Sequence, residues 1–178
     1  MIYSKYQSVS GSGTAGINDL KDKTKKNYPH YIHHNIIPHI DDFLENKYTK
    51  EEMKMIDESK KILNNPNLKI SATCARVPIM NTHAVSMIVE CENEIDIELL
   101  SRQYDAEEGI VLCDDIFNNQ YPLAENANGK DDVYIGRIRQ DLAFDNAISL
   151  WTVADNIRKG AAGNSIDILE LLIKKETM

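Results

Sequence analysis

Apolar and polar positions alternate most clearly in two stretches near the middle of the chain. Residues 69–77 and 83–92 read as β-strands, separated by the breaker-containing connector Pro78-Ile79-Met80-Asn81-Thr82. Those turn-forming residues predict a reversal that pairs the two strands and sets Arg76 and His83 side by side at one sheet end. Residues 109–114, 134–139 and 147–153 have the β-branched and aromatic content of further strands. Helical spacing predicts a helix over 15–26, with Ile17 and Leu20 on one side and lysines on the other. A firmer helix starts near Lys50. Thr49 and Glu52 have the form of a capping box there, and Met53, Ile56, Lys60 and Leu63 recur until Asn64-Asn65-Pro66. Residues 96–105 predict another helix. Asp155 can cap a last one, with Ile157, Ala161, Ile168, Leu169 and Leu172 as its apolar side. A short helical turn is expected at 40–45. Residues 6–13 read as a strand end entering a tight Gly/Ser loop, 28–38 as irregular, and 118–132 as a long polar loop. The pattern predicts an α+β fold with a mixed or antiparallel sheet.

Composition narrows this picture. A chain of 178 residues with 42% hydrophobic content suits one domain with a real core. A net charge of −8 disfavours nucleic acid as a partner. No apolar run approaches the roughly 20 residues that cross a bilayer, so no membrane association is expected. The opening Met1-Ile2-Tyr3-Ser4-Lys5 has no apolar signal core. Cys74, Cys91 and Cys113 form an odd set without CxxC spacing, so a disulfide framework and a zinc site are not expected and a cytoplasmic location fits. Cys91 and Cys113 fall in runs expected to be buried, where thiolates are disfavoured. His30, His33 and His34 lack acids or cysteines at ligand spacing, so no metal is expected. Ser10-Gly11-Ser12-Gly13 is too short for a dinucleotide fingerprint.

The candidate chemistry lies in a few positions. Arg76 offers a charged planar fork and His83 a proton carrier near neutrality, a pairing that suits holding a small carboxylate while moving a proton. Glu51 and Lys54 lie three apart in a first helical turn and share a face. Each of these, and Gln7 in its loop, equally suits an ordinary solvated surface when taken alone.

Taken together, several stretches resemble the C-terminal half of bacterial aspartate-semialdehyde dehydrogenases. They are residues 6–13 (YQSVSGSG), 48–54 (YTKEEMK), 71–78 (SATCARVP) with His83, 129–139 (GKDDVYIGRIR) and 150–162 (LWTVADNIRKGAA). The resemblance implies an α+β fold with a mixed, largely antiparallel sheet flanked by helices, like the C-terminal domain of glyceraldehyde-3-phosphate dehydrogenase. It implies one dimerisation and catalytic domain over 1–178. It also implies NADP-dependent reductive dephosphorylation of L-aspartyl-4-phosphate to aspartate 4-semialdehyde through a cysteine thioester, a step of lysine, threonine, methionine and diaminopimelate biosynthesis. By the same resemblance His83 is the acid/base and Gln7 orients the substrate. Arg76 holds its carboxylate, Glu51 its amino group and Lys54 its phosphate, while Ser10, Gly11 and Asn156 approach the nicotinamide end of NADP. The nucleophile and the NADP-binding Rossmann domain belong to a segment upstream of this pattern, toward which the last helix, 156–175, packs. The chain alone is therefore expected to be inactive. Cys74 is not expected to substitute, because strand alternation is taken to point it away from Arg76. The partners implied are the small-molecule substrate, a second copy in a homodimer or higher oligomer, and a separate N-terminal half. A non-catalytic dimerisation module paired with a separate NADP-binding chain, and a sibling reductase of N-acetylglutamyl phosphate, remain alternatives.

Overall fold

The computed structural model describes residues 1–176. Six strands form one mixed sheet: β1 (Ile2–Gln7), β2 (Ser71–Arg76), β3 (His83–Glu90), β4 (Ile110–Leu112), β5 (Val133–Gln140) and β6 (Ala147–Ala154). Their spatial order is β2-β1-β3-β6-β5-β4. The outer pairs β1–β2 and β4–β5 are parallel, and the three inner pairs are antiparallel. The α+β, largely antiparallel expectation is borne out. The direct pairing of the two central strands is not, because β1 lies between β2 and β3 and bonds to both. A strand from the start of the chain has taken the place beside β2 that the short connector was expected to give β3.

Among the described residues, five α-helices accompany the sheet: α1 (Gly13–Lys21), α2 (Lys50–Ile62), α3 (Ile97–Ala106), the single turn α4 (Ala124–Ala127) and α5 (Gly163–Glu176). The capping box forms as its spacing predicts. Glu52 N–H donates to Thr49 Oγ1 at 3.2 Å, and Thr49 N–H donates to Glu52 Oε2 at 2.8 Å. Glu52 does more than close a helix end, since its Oε1 accepts the N–H of Cys74 at 3.0 Å. This bond fixes the first turn of α2 against the edge strand β2. Ile56 then buries against Tyr3 and Ala72, with Val85 and Met87 alongside. Along the same face of the sheet, α3 lays Ile97, Leu100 and Tyr104 against Ile135, Ile148 and Leu150. Alternation on the strands, apolar toward these helices, is what sets this layer.

Helix α1 ends about five residues earlier than its spacing predicts. The buried carboxylate of Asp19 accepts the N–H groups of Lys26, Asn27 and Tyr28 and the hydroxyl of Thr24, so the chain turns there instead of continuing. The loop that follows is anchored by Tyr28, Ile32 and Ile37, which form a core with Val9. Residues 40–45 form no helical turn. Lys50 N–H bonds Asp42 O and Leu44 N–H bonds Tyr48 O, which draws this stretch into a bridged loop. The long polar segment 118–132 contains the one turn of α4. Asp155 caps as expected, accepting the N–H groups of Ile157 and Arg158, but the chain runs through a π-type turn, Arg158–Ala162, before α5 begins. Ile157, Ile168, Leu169 and Leu172 are all more than half exposed. The side chain of Ala161 is outside the described set.

Candidate functional site

Three polar side chains stand in register across three strands. Gln7, the last residue of β1, is opposite Arg76 on one side and His83 on the other. Side chains level with one another share a face, so all three point toward α2 at one end of the sheet. The expected side-by-side placement of Arg76 and His83 thus holds at the level of the sheet end, with Gln7 standing between them.

His83 is held from its Nδ1 side. The backbone N–H of Ser8 donates to Nδ1 at 3.3 Å, and Ser8 Oγ lies 3.2 Å from the same atom. A backbone N–H can only donate, so Nδ1 accepts and the neutral ring carries its proton on Nε2. Burial pushes the His83 pKa down to about 4. The Thr82 backbone pulls the other way, and the charges of Lys5 and Arg76 add to the fall. The strand begins at His83 because of a knot just before it. Thr82 has φ of 77°, a left-handed conformation that β-branched residues seldom adopt. Its N–H is held at 2.9 Å by Asn156 Oδ1, which also accepts the hydroxyls of Ser8 and Ser10. Asn156 therefore ties the end of β6, the turn after β1 and the start of β3 together.

Arg76 is 5% exposed. Its main chain pairs with Ile37, and its Nη1 donates to Ser8 O at 2.6 Å. The guanidinium lies over the Tyr28 ring at 5.9 Å. Burial lowers its pKa, but a guanidinium stays charged at physiological pH. Nε has no hydrogen-bond partner and is buried. A buried, unpaired donor on a charged group is costly.

A cleft of ≈ 410 Å³ opens beside these groups, lined by Lys5, Gln7, Glu51, Lys54, His83 and Asn156 among others. Glu51 and Lys54 therefore face it as their shared helical face predicts. Arg76 does not line this cleft; it stands behind Gly11. A side-chain carbon at Gly11 would sit 3.0 Å from Arg76 Nη1 and 3.4 Å from His83 Nε2, so only a glycine leaves that space open. Gln7 is not free: its Nε2 donates to Glu51 Oε1 at 2.6 Å. Lys5 Nζ reaches the same oxygen at 2.8 Å. Burial alone would raise the Glu51 pKa; the Lys5 hydrogen bond and charge, helped by Gln7 and Lys54, outweigh it and lower the pKa. Lys5, Ser8 and Thr82 are site residues that sequence reasoning missed. Lys5 shares a strand face with Gln7 two positions on, but its partner Glu51 lies 46 positions away.

Gly11 and Asn156 line one edge of the cleft, and Ser10 is bonded to Asn156 behind it. Together they form a small, polar edge of hydroxyl, amide and backbone groups. Cys74 is fully buried, with Sγ 3.5 Å from Met55 Sδ. It lies on the face of Arg76, as a residue two positions earlier must, and not away from it. Burial pushes its pKa up to about 12, so it remains a thiol. Cys91 is exposed, against expectation, because β3 ends at Glu90 and the next residue leaves the sheet. His33 and His34 have ring centroids 4.0 Å apart, well away from the cleft residues in sequence. Among the described residues, no cluster of three or more potential ligands could hold a metal ion, and no helix is long and apolar enough to cross a membrane.

Fold and site together define an α+β domain with a polar, charged cleft beside a neutral histidine. Residues 1–159 match the family described as semialdehyde dehydrogenase, dimerisation domain. The chain belongs to that family. It is similar to aspartate-semialdehyde dehydrogenase of Aquifex aeolicus, 44% identical over 98% of this chain and 55% of that protein. It is also similar to aspartate-semialdehyde dehydrogenase 2 of Vibrio cholerae, 43% identical over 95% of this chain and 52% of that one. Crystal structures of the Vibrio cholerae enzyme II, one complexed with ASA, superpose with a TM-score of 0.89 at 42% identity, over 97% of this chain and 54% of theirs. A probable aspartate-semialdehyde dehydrogenase of Pseudomonas aeruginosa gives 0.89 at 27% identity, over the same shares of the two chains. The chain thus spans about half the length of the relatives it matches.

Proposed function

We propose that this chain supplies the acid/base and substrate-holding half of an aspartate-semialdehyde dehydrogenase, which interconverts L-aspartyl-4-phosphate and aspartate 4-semialdehyde with NADP. The observation that carries this reading is the level row Arg76–Gln7–His83 beside a cleft that also presents Glu51 and Lys54. Arg76, with Nε unpaired, would take the substrate carboxylate as a fork. Glu51 would take the ammonium group and Lys54 the phosphate. Gln7, bonded to Glu51, would set the carboxylate's position beside the reacting carbon. His83, with its proton on Nε2, would donate to the oxygen or leaving group as charge develops and accept the proton back in the reverse direction. NADP, when bound, supplies or accepts the hydride, with Ser10, Gly11 and Asn156 at its nicotinamide end.

A protonated Cys74 cannot serve as the nucleophile this chemistry needs. Residues 1–178 by themselves are therefore expected to show no NADP-dependent oxidation of aspartate semialdehyde in phosphate. Supplying the NADP-binding half of a relative in trans is expected to restore some turnover. In that assembly His83→Ala should lower kcat by about 100-fold or more, and Arg76→Lys should mainly raise KM because it keeps the charge and loses the fork. Turnover by residues 1–178 alone that disappears in Cys74→Ser would overturn the reading.

Membership of a dimerisation-domain family also supports a homodimer. The sheet face turned away from α2 and α3 leaves Ile2 exposed and Tyr6, Ile88 and Trp151 partly so, with the Tyr6 and Trp151 rings 5.5 Å apart. We assign this face to a second copy of the chain.

A further inference from the structure

Lys5 has no part in the roles set out above, yet its ammonium is one of the two groups bonded to Glu51. Strand alternation puts Lys5 and Gln7 on one face, and both reach the same carboxylate oxygen, Oε1, at 2.8 and 2.6 Å. Among the described residues no hydrogen bond falls on Oε2. The Lys5 and Glu51 side chains are only 19% and 16% exposed, and both line the cleft. A carboxylate gripped at one oxygen by two donors from a rigid strand has little rotational freedom left. Its second oxygen then has a fixed direction and an unfilled acceptor. We propose that Lys5 is a positioning residue: with Gln7 it pins Glu51 Oε1 and leaves Oε2 aimed into the cleft for a ligand's ammonium group.

Such an arrangement solves a definite problem. An unpinned glutamate in the first turn of a helix would sample several rotamers, and an incoming ammonium would have to order it. Pinning removes that cost before binding. It also confines the attraction to one oxygen, so a ligand without an amine gains nothing from Lys5. The inference rests on Glu51 being the ammonium site. The charged and titratable groups around Glu51 include Lys5, Lys54, Arg76, His83 and the Cys74 thiol, and Asp155 and Lys159 line the same cleft. Lys5 makes a direct ion pair with Glu51.

The test uses the 178-residue chain with its glutamate carboxyls labelled with 13C. Glu51 is titrated by NMR in the parent, in Lys5→Met, in Lys5→Gln and in Lys5→Arg. Binding of L-aspartate 4-semialdehyde and of succinate semialdehyde, which lacks the amine, is followed by chemical shift over the same pH range. Lys5→Met and Lys5→Gln are expected to move the Glu51 midpoint upward, and Lys5→Arg to restore it. The acid limb of aspartate semialdehyde binding should move upward with it, weakening that ligand by about fivefold at mildly acid pH, the scale of a half-buried ion pair. The affinity for succinate semialdehyde should stay within about twofold. An unchanged Glu51 midpoint in both neutral variants overturns the role given to Lys5. A midpoint that moves while binding of the amine-bearing ligand ignores it overturns Glu51 as the ammonium site, and leaves the Lys5–Glu51 coupling standing as a property of the fold.

Discussion

His83 and Cys74 show how far a buried surrounding can move ordinary side chains. An NMR titration of the His83 ring should give a midpoint near pH 4, well below the ordinary histidine value, and 15N shifts should report the proton on Nε2. The sign of its effect on stability follows. A histidine depressed in the folded state contributes stability that is complete above about pH 6.5, its unfolded value, and lost as pH falls toward 4. Cys74 and Cys91 should separate just as clearly. In a timed alkylation with iodoacetamide at neutral pH, Cys91 is expected to react while Cys74 stays unmodified until the protein unfolds. The residues that carry this chemistry were legible as types. An arginine, a histidine, a glutamate and a lysine stood out by charge and position, whereas Lys5 did not, because its meaning depends on a carboxylate 46 positions away. Nor could the exposure of Cys91 be read, since it turns on where one strand stops.

At the scale of elements, the most informative contact is the carboxylate of Asp19. Burial alone would raise its pKa. The Thr24 hydroxyl and the backbone donors of Lys26, Asn27 and Tyr28 outweigh burial and bring it down to about 2. Asp19→Ala removes the common acceptor of four donors and is expected to cost about 2–4 kcal/mol in urea unfolding, from lost bonds and unsatisfied groups. Asp19 is also a source of acid sensitivity. Its stabilisation is complete above about pH 4 and is lost as pH falls through 2, which a series of unfolding curves in that window would show. Because this loop lays Tyr28 against Arg76, the same variant should disturb the site as well as the fold. Local pattern found most of the helices and strands, including the capping box, since those depend on neighbours three or four residues away, but it read β1 only as a strand end and α4 as loop. It misplaced the end of α1, where a side chain captures the backbone eight residues further on. It also paired β2 with β3, since nothing in a short connector announces that a third strand will come between them.

At the scale of the molecule, two apolar surfaces remain uncovered among the described residues in a single copy: the outer sheet face around Tyr6, Ile88 and Trp151, and the residues of α5. Patches beyond a few hundred Å² seldom stay bare in solution. Light scattering is expected to show at least a dimer, and Trp151→Glu, which puts a charge on the outer face, is expected to shift the population toward monomer while leaving circular dichroism unchanged. Retention of the dimer in that variant would move the interface elsewhere, with α5 the next surface to examine. The mixed-sheet fold class was readable from the run of strands and helices. The order of strands within it was not, because topology is set by which edges find each other across the whole chain.

That strand order has a consequence for how the chain comes to have a site at all. Ile2 pairs with Ser71 and with Ile88, so β1 is held only by strands far along the chain. Closing such long loops is slow and is not rewarded until several strands meet. Until β1 docks there is no Gln7 between Arg76 and His83, no Ser8 at the imidazole and no Lys5 at Glu51, however well α2 and the other strands have formed. The chemistry is thus contingent on the most non-local step of folding. A partly folded chain would carry Gln7, Arg76, His83 and Glu51 and still have no site in which they meet.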